Sequence, residues 1–309
     1  MLNKEVINMV YQRNFHGIIS PVSTILDKNN NLDEKGMKKL IDYLIKERVH
    51  GLLFLGSGGE FSQMTLPQRK KITEFCISYV NKRVPVFIGT GSTSTKEAIL
   101  LSQHAQQSGS DGVLIITPYY WPLLKKDLLK YYKDIANAID LPIILYNFPS
   151  LTGQVLSPES ILELINYDKN IIGVKETVDS VEHIREVIVK VKKKHPEFLV
   201  FAGMDDHLLN TLQMGGDGAI PGASNFVPEI TVGIYELYKK KEYIKAEELL
   251  KKLMQLLQIY ELSSPPFIAI KEAIKARGVD IPTQVLPPAQ NLDKASKLRI
   301  NEILSSTFK

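Results

Sequence analysis

The stretch "NIIGVKET", residues 170–177, places a lysine at the end of a short apolar run. The run reads as a strand ending at or near Lys175, and a helical pattern follows over residues 180–193. Burying an ammonium is costly, so a lysine at this point needs a purpose. The same unit of apolar run then helix recurs on both sides. Upstream lie "GIISPV" (17–22), "GLLFL" (51–55), "VPVFIG" (84–89), "DGVLII" (111–116) and "LPIILY" (141–146). Downstream lie "EFLVFAG" (197–203) and "GDGAIPG" (216–222). The first intervening helix carries Met37, Leu40, Ile41, Leu44 and Ile45 in one stripe. Others begin after "TLPQR", near Ser94, and at "SPES", where Ser157 caps and Pro158 opens the first turn. Further helical patterns cover 126–139, 206–214 and 227–240.

Eight strand–helix units in about 225 residues match a (β/α)8 barrel in count and length. Strands that are apolar throughout suit a sheet covered on both faces. An open doubly wound sheet is the alternative, weakened because no G-x-G-x-x-G follows the first strand. The fold class is therefore α/β, a TIM barrel over residues 1–240 with a short N-terminal segment. Residues 241–309 read as a C-terminal helical extension. Leu249, Leu250, Leu253, Leu256, Leu257 and Tyr260 form one stripe there, and "PPFIAIKEAIKARG" and "LDKASKLRINEILSS" give two more helices. With no strand of its own, this tail reads as a cap on the barrel.

Composition excludes several classes. The 309 residues are 44% hydrophobic and 23% charged, with a net charge of +4. Two "KKK" runs, at 192–194 and 239–241, fall where helices should end, and cations there complement the helix dipole. No aromatic residues interleave with arginines, so no nucleic-acid partner is expected. Cys76 is the only cysteine; it falls on an apolar helix face with Ile72, Tyr79 and Val80 and reads as packing. "MLNKEVINMVYQRNF" has no apolar signal core, and no apolar run reaches about 18 residues. A cytoplasmic protein with no membrane partner is expected.

In a barrel, chemistry collects where strands end. Those ends are "GSGGE" (56–60), "TPYYW" (117–121), "YNFPSLTG" (146–153), "KET" (175–177) and "IPGAS" (220–224). A desolvated lysine favours its neutral amine and can attack a carbonyl to form an imine. The plainer reading is a lysine reaching solvent, or pairing with a carboxylate such as Glu176. Tyr146 ends the adjacent strand, and a phenol could shuttle the protons that imine formation needs; a packed tyrosine with its hydroxyl tied to backbone is the alternative. The glycines of "GSGGE" let backbone N–H groups approach an anion, and Ser57 adds a hydroxyl. A tight turn is the bland alternative, and the loop lacks the lysine of a P-loop. Glu60 could cap or buttress. Asp205, Asp206 and His207 are consecutive and share no face, so a helix N-cap is expected there. Neither a metal nor another cofactor is expected.

Together "GSGGE", "TPYYW", "YNFPSLTG" and "GVKET", in this order and spacing, resemble the dihydrodipicolinate synthase/N-acetylneuraminate lyase superfamily of pyruvate-dependent class I aldolases. The likeness spans nearly the whole chain. It implies a barrel with a helical extension, a homotetramer, and Lys175 as the residue that forms the imine with a 2-keto acid. It implies Tyr146 as acid/base, Ser57 in the proton relay, and Ser57 with Gly58 as carboxylate binders. Gly58 departs from the threonine many members carry. Tyr120 matches the tyrosine that reaches into a neighbouring subunit, with Tyr119 as the rival position. Gly203 and Ile220, at two strand ends, join Thr177 as expected substrate contacts. Leu151 stands where the synthases carry an arginine, and Thr177 where they usually carry alanine. Both changes point to a polyol chain, and "FLGSGGEFSQ" and "TPYYW" look most like bacterial 2-keto-3-deoxy sugar acid aldolases. The expected partners are a small-molecule 2-keto acid and an aldehyde. Dihydrodipicolinate synthase, N-acetylneuraminate lyase, hydroxy-oxoglutarate-type aldolases and a non-catalytic binding homologue are the alternatives.

Overall fold

Eight apolar runs form eight parallel strands that close on themselves. The structure is a computed structural model and describes residues 15–308; the reading of the first fourteen residues lies outside the described part. The strands are β1 (Gly17–Pro21), β2 (Gly51–Phe54), β3 (Val86–Gly89), β4 (Gly112–Ile116), β5 (Ile143–Asn147), β6 (Ile171–Glu176), β7 (Leu199–Ala202) and β8 (Gly218–Ala219). Each pairs parallel with the next, and β1 pairs with β8 to complete the barrel. The β1–β8 seam explains why β8 carries a glycine. A Cβ at Gly218 would collide with the backbone of Gly17.

Helices alternate with the strands as the sequence periodicity predicts. They are α1 (Glu34–Lys46), α2 (Leu66–Val80), α3 (Thr95–Ser108), α4 (Lys125–Ala136), α5 (Pro158–Tyr167), α6 (Val181–Val187), α7 (Leu208–Gln213) and α8 (Pro228–Lys239). In α1 the Asp33 side chain caps the first turn, and Met37, Leu40, Ile41 and Leu44 are buried. Each such side chain contributes roughly 1.5–3 kcal/mol of burial. The helix expected over 180–193 divides: α6 gives way to a π-helical segment, Ile188–Lys192. Cys76 is fully buried among core residues, as its helix face implies.

The tail forms α9 (Tyr243–Leu256), α10 (Phe267–Ala276) and α11 (Lys294–Thr307). Leu253, Leu256, Ile259, Ala273, Ile300 and Leu304 belong to the same contiguous apolar cluster as the barrel. The tail packs near the C-terminal ends of β7 and β8, where α9 and α10 meet the loops that follow those strands. It therefore lies beside the rim where barrel chemistry is sited.

Candidate active site

Lys175 and Tyr146 are paired residues in the β5–β6 register. Paired residues of neighbouring strands point to the same face. Both side chains are buried, and the Lys175 Nζ lies 4.3 Å from the centre of the Tyr146 ring. The amine thus sits inside the barrel wall beside the phenol, not in bulk water. Pairing of Lys175 with Glu176 does not occur. Glu176 follows Lys175 on the strand and so turns to the opposite face, where its carboxylate accepts from Asn147 Nδ2 at 2.8 Å.

Ser57 brings its hydroxyl to 3.4 Å from the Tyr146 hydroxyl. It opens a tight turn, Ser57–Gly59, in which Gly59 N donates to Gly56 O and Glu60 N to Ser57 O. Gly58 has room to spare: a Cβ there would meet nothing closer than Pro21 O at 3.8 Å. Crowding therefore does not require glycine at this position. Glu60, at φ +61°, ends the turn. Its carboxylate forms a fully buried ion pair with Lys271 of α10 and accepts from Leu286 N at 2.7 Å. Lys271 also donates to Gln284 O at 2.7 Å. Burial lowers the Lys271 pKa, and Glu60 opposes that shift. Glu60 thus buttresses, tying the β2 loop to the tail.

Thr177 is buried just past β6, and its Oγ1 has no hydrogen-bond partner among the described residues. Gly203 N donates to Glu176 O at 2.6 Å, and a Cβ on Gly203 would strike Thr177 Oγ1. Only glycine allows the β7 end to lie this close. Ile220, just past β8, is buried and donates its N–H to Ala202 O at 2.8 Å. Tyr120 is not part of this cluster: it is 84% exposed and held at φ +85°. Tyr119 is half-buried, edge-on to Phe61 at 6.1 Å, and burial raises its pKa.

One expectation is corrected. Asp205 opens a short turn but does not cap it. Its carboxylate accepts from Ala223 N at 2.8 Å and from the Tyr260 hydroxyl at 3.0 Å. It ties the β7 loop to the β8 loop and to the tail. Burial, only partly offset by these donors, raises its pKa to about 6. The positive charge of Lys175 also pulls the Asp205 pKa downward, against burial. The consecutive acidic pair hid this role, because a cap is a local reading and this tether spans 18 and 55 residues. Among the described residues no group of three or more His, Cys, Asp or Glu could hold a metal. Nor is any described helix long and apolar enough to cross a membrane.

Residues 14–307 match the model of the dihydrodipicolinate synthetase family. The chain belongs to that family. The chain is 48% identical over 290 residues to "Putative 2-dehydro-3-deoxy-D-gluconate aldolase YagE" of Escherichia coli strain K12, covering 94% of this chain and 96% of that one. It is 46% identical over 294 residues to "Probable 2-dehydro-3-deoxy-D-pentonate aldolase YjhH" of the same organism, covering 95% and 98%. The crystal structure of YagE in complex with pyruvate superposes with a TM-score of 0.94, covering 95% of this chain and 99% of that one. A dihydrodipicolinate synthase from Thermotoga maritima, 28% identical, superposes at 0.91 over 96% of this chain and 99% of its own. This member of the synthetase family is an enzyme, a lyase of the aldolase type.

Proposed function

We propose that the enzyme cleaves a 2-keto-3-deoxy sugar acid, gluconate or pentonate, to pyruvate and an aldehyde through an imine on Lys175. The observation that carries this reading is the buried amine in register with the phenol of Tyr146, with the Ser57 hydroxyl 3.4 Å from that phenol. Lys175 attacks the C2 carbonyl, and the carbinolamine loses water to give a protonated imine. Tyr146, with Ser57, gives and takes the protons of that step. The C4 hydroxyl then loses its proton to Tyr146, the C3–C4 bond breaks, and its electron pair passes to the imine nitrogen as an enamine forms. Glyceraldehyde leaves from the six-carbon acid, glycolaldehyde from the five-carbon acid. Protonation of the enamine at C3 and hydrolysis of the imine release pyruvate, and the sequence runs in either direction.

The keto-acid carboxylate is assigned to the Ser57 hydroxyl and the backbone at Ser57 and Gly58. Thr177 Oγ1, buried and unpartnered, is assigned to a hydroxyl of the polyol chain, with Gly203 and Ile220 beside it. A buried hydroxyl without a partner is costly unless a ligand satisfies it. Leu151, 58% exposed and uncharged, offers nothing to the carboxylate of an amino-acid aldehyde. The names of YagE and YjhH support the same substrate class. We also assign a homotetramer acting in the cytoplasm, with Tyr120 entering a neighbouring subunit's site. Tyr120, Trp121 and Leu124 are all more than two-thirds exposed, an apolar patch that suits burial by a second copy.

A pyruvate-release assay tests the reading. Five- and six-carbon 2-keto-3-deoxy acids are compared with N-acetylneuraminate. Preference for a keto-deoxy acid is expected. Turnover confined to N-acetylneuraminate, or only to condensation of pyruvate with an amino-acid aldehyde, would overturn it.

A further inference from the structure

The residues that follow Tyr146 and Lys175 meet on the far side of the barrel wall. Asn147 and Glu176 are themselves a register pair, one step beyond Tyr146 and Lys175. Strand alternation sends the first pair inward and the second outward. Outside, Asn147 Nδ2 donates to Glu176 Oε2 at 2.8 Å, and both side chains are fully buried. His183, from α6, brings Nε2 to 3.3 Å from the same Oε2 and 3.2 Å from Asn147 Nδ2. Asn147 is held from the other side as well, since its Oδ1 accepts from Leu156 N at 3.0 Å. The backbone closes the arrangement: Thr177 N donates to Asn147 O at 2.9 Å, and Gly203 N to Glu176 O.

From this geometry we propose that Asn147, Glu176 and His183 form a clasp that fixes the Tyr146 hydroxyl against the Lys175 amine. They are positioning residues, and the inference rests on the reading of Lys175 and Tyr146 given above. Two strand ends carry the reacting groups inward, and backbone hydrogen bonds alone leave a strand end free to fray. A buried carboxylate bridging both strands removes that freedom, provided it has a counter-ion. His183 is that counter-ion. The hydrogen bond to Glu176 raises the His183 pKa, against the opposing effect of burial. Other charges facing His183 are Glu186 on its own helix and Glu159 from α5, both already paired with Lys190. Tyr132 from α4 lies near Glu176, and its own pKa is pushed far up by burial. With its pKa raised, His183 keeps its proton to higher pH than a free imidazole, and the protonated ring completes the clasp. As pH rises through its pKa the imidazolium is lost, Glu176 keeps only the Asn147 bond and has no counter-ion, and the clasp loosens.

The test counts competent sites first, by borohydride reduction with pyruvate, and expresses kcat per trapped Lys175. Glu176→Gln should lower kcat per trapped site at least tenfold while KM changes less than threefold. In a Tyr146→Phe background the same change should have little further effect, because the clasp acts through that phenol. His183→Gln, at a position less buried than Glu176, should abolish an alkaline limb in the wild-type kcat profile. A wild type that traps pyruvate on Lys175 but shows no such limb overturns the clasp alone. So does a folded Glu176→Gln or His183→Gln enzyme with unchanged kcat per site and an unchanged profile. A wild type that traps nothing on Lys175 overturns the reading beneath it, and the clasp with it.

Discussion

Replacing Asp205 with asparagine should make the protein more stable at neutral pH. Asparagine keeps the shape of the side chain. Its Oδ1 can still accept from Ala223 N, and its amide can donate to the Tyr260 oxygen in place of the bond that hydroxyl now gives. What disappears is a buried charge. Asp205 titrates at about 6 instead of 3.8 because burial disfavours its ionised form. At about 1.36 kcal/mol per pH unit, that gap is worth about 3 kcal/mol. The native value lies above the unfolded one, so the native state holds the proton longer. The penalty is therefore absent below the unfolded pKa, grows as pH rises, and is complete above the native pKa. Asp205→Asn should gain about 3 kcal/mol at pH 8 and about half of that at pH 5. A chain of this size shifts by roughly 2 °C per kcal/mol, so Tm at pH 8 should rise by about 6 °C. Urea titrations at both pH values, at equal protein concentration, give the comparison. A variant less stable than wild type at pH 8, or a gain identical at the two pH values, would refute the reasoning.

The Lys271–Glu60 pair should behave in the opposite way. Lys271→Met leaves a buried carboxylate with Leu286 N as its remaining partner, and breaking such a pair costs about 3–5 kcal/mol. Adding Glu60→Gln should recover part of the loss in a double-mutant cycle, whereas a single-variant cost under about 1 kcal/mol would contradict the burial argument. Tyr146→Phe should lower kcat by roughly 10²–10⁴, the usual worth of a positioned acid/base. Steady-state kinetics on the preferred keto acid decide it, and a near-normal kcat removes Tyr146 from the relay.

The barrel was legible because most strands are short apolar runs and helices such as α1 carry a clear apolar stripe. Met37, Leu40, Ile41 and Leu44 read as a face and are buried as one. Lys175 and Tyr146 were legible because both close such runs, and neighbouring strands in a barrel bring their ends together. Asp205 was misread because its partners, Ala223 and Tyr260, lie in other elements. Glu60 read only as a possible buttress, since nothing local announces Lys271, 211 residues away. Asn147 and His183 were passed over for a related reason. A polar residue facing outward from a barrel strand looks like any helix-layer residue until its partner on the next strand is known. The "YN" and "KE" dipeptides carried the signal: two polar residues one step past two candidate catalytic ones, on strands that pair. The π-helical stretch after α6 left no mark in a periodicity that continues through it.

The central claim is that the buried amine of Lys175 forms an imine with a keto acid. Incubation with pyruvate and borohydride, followed by peptide mapping, addresses it directly. The account predicts one reduced pyruvyl adduct per chain, on the peptide that contains Lys175 and absent from Lys175→Ala. An adduct on another lysine, or none at all, would contradict it.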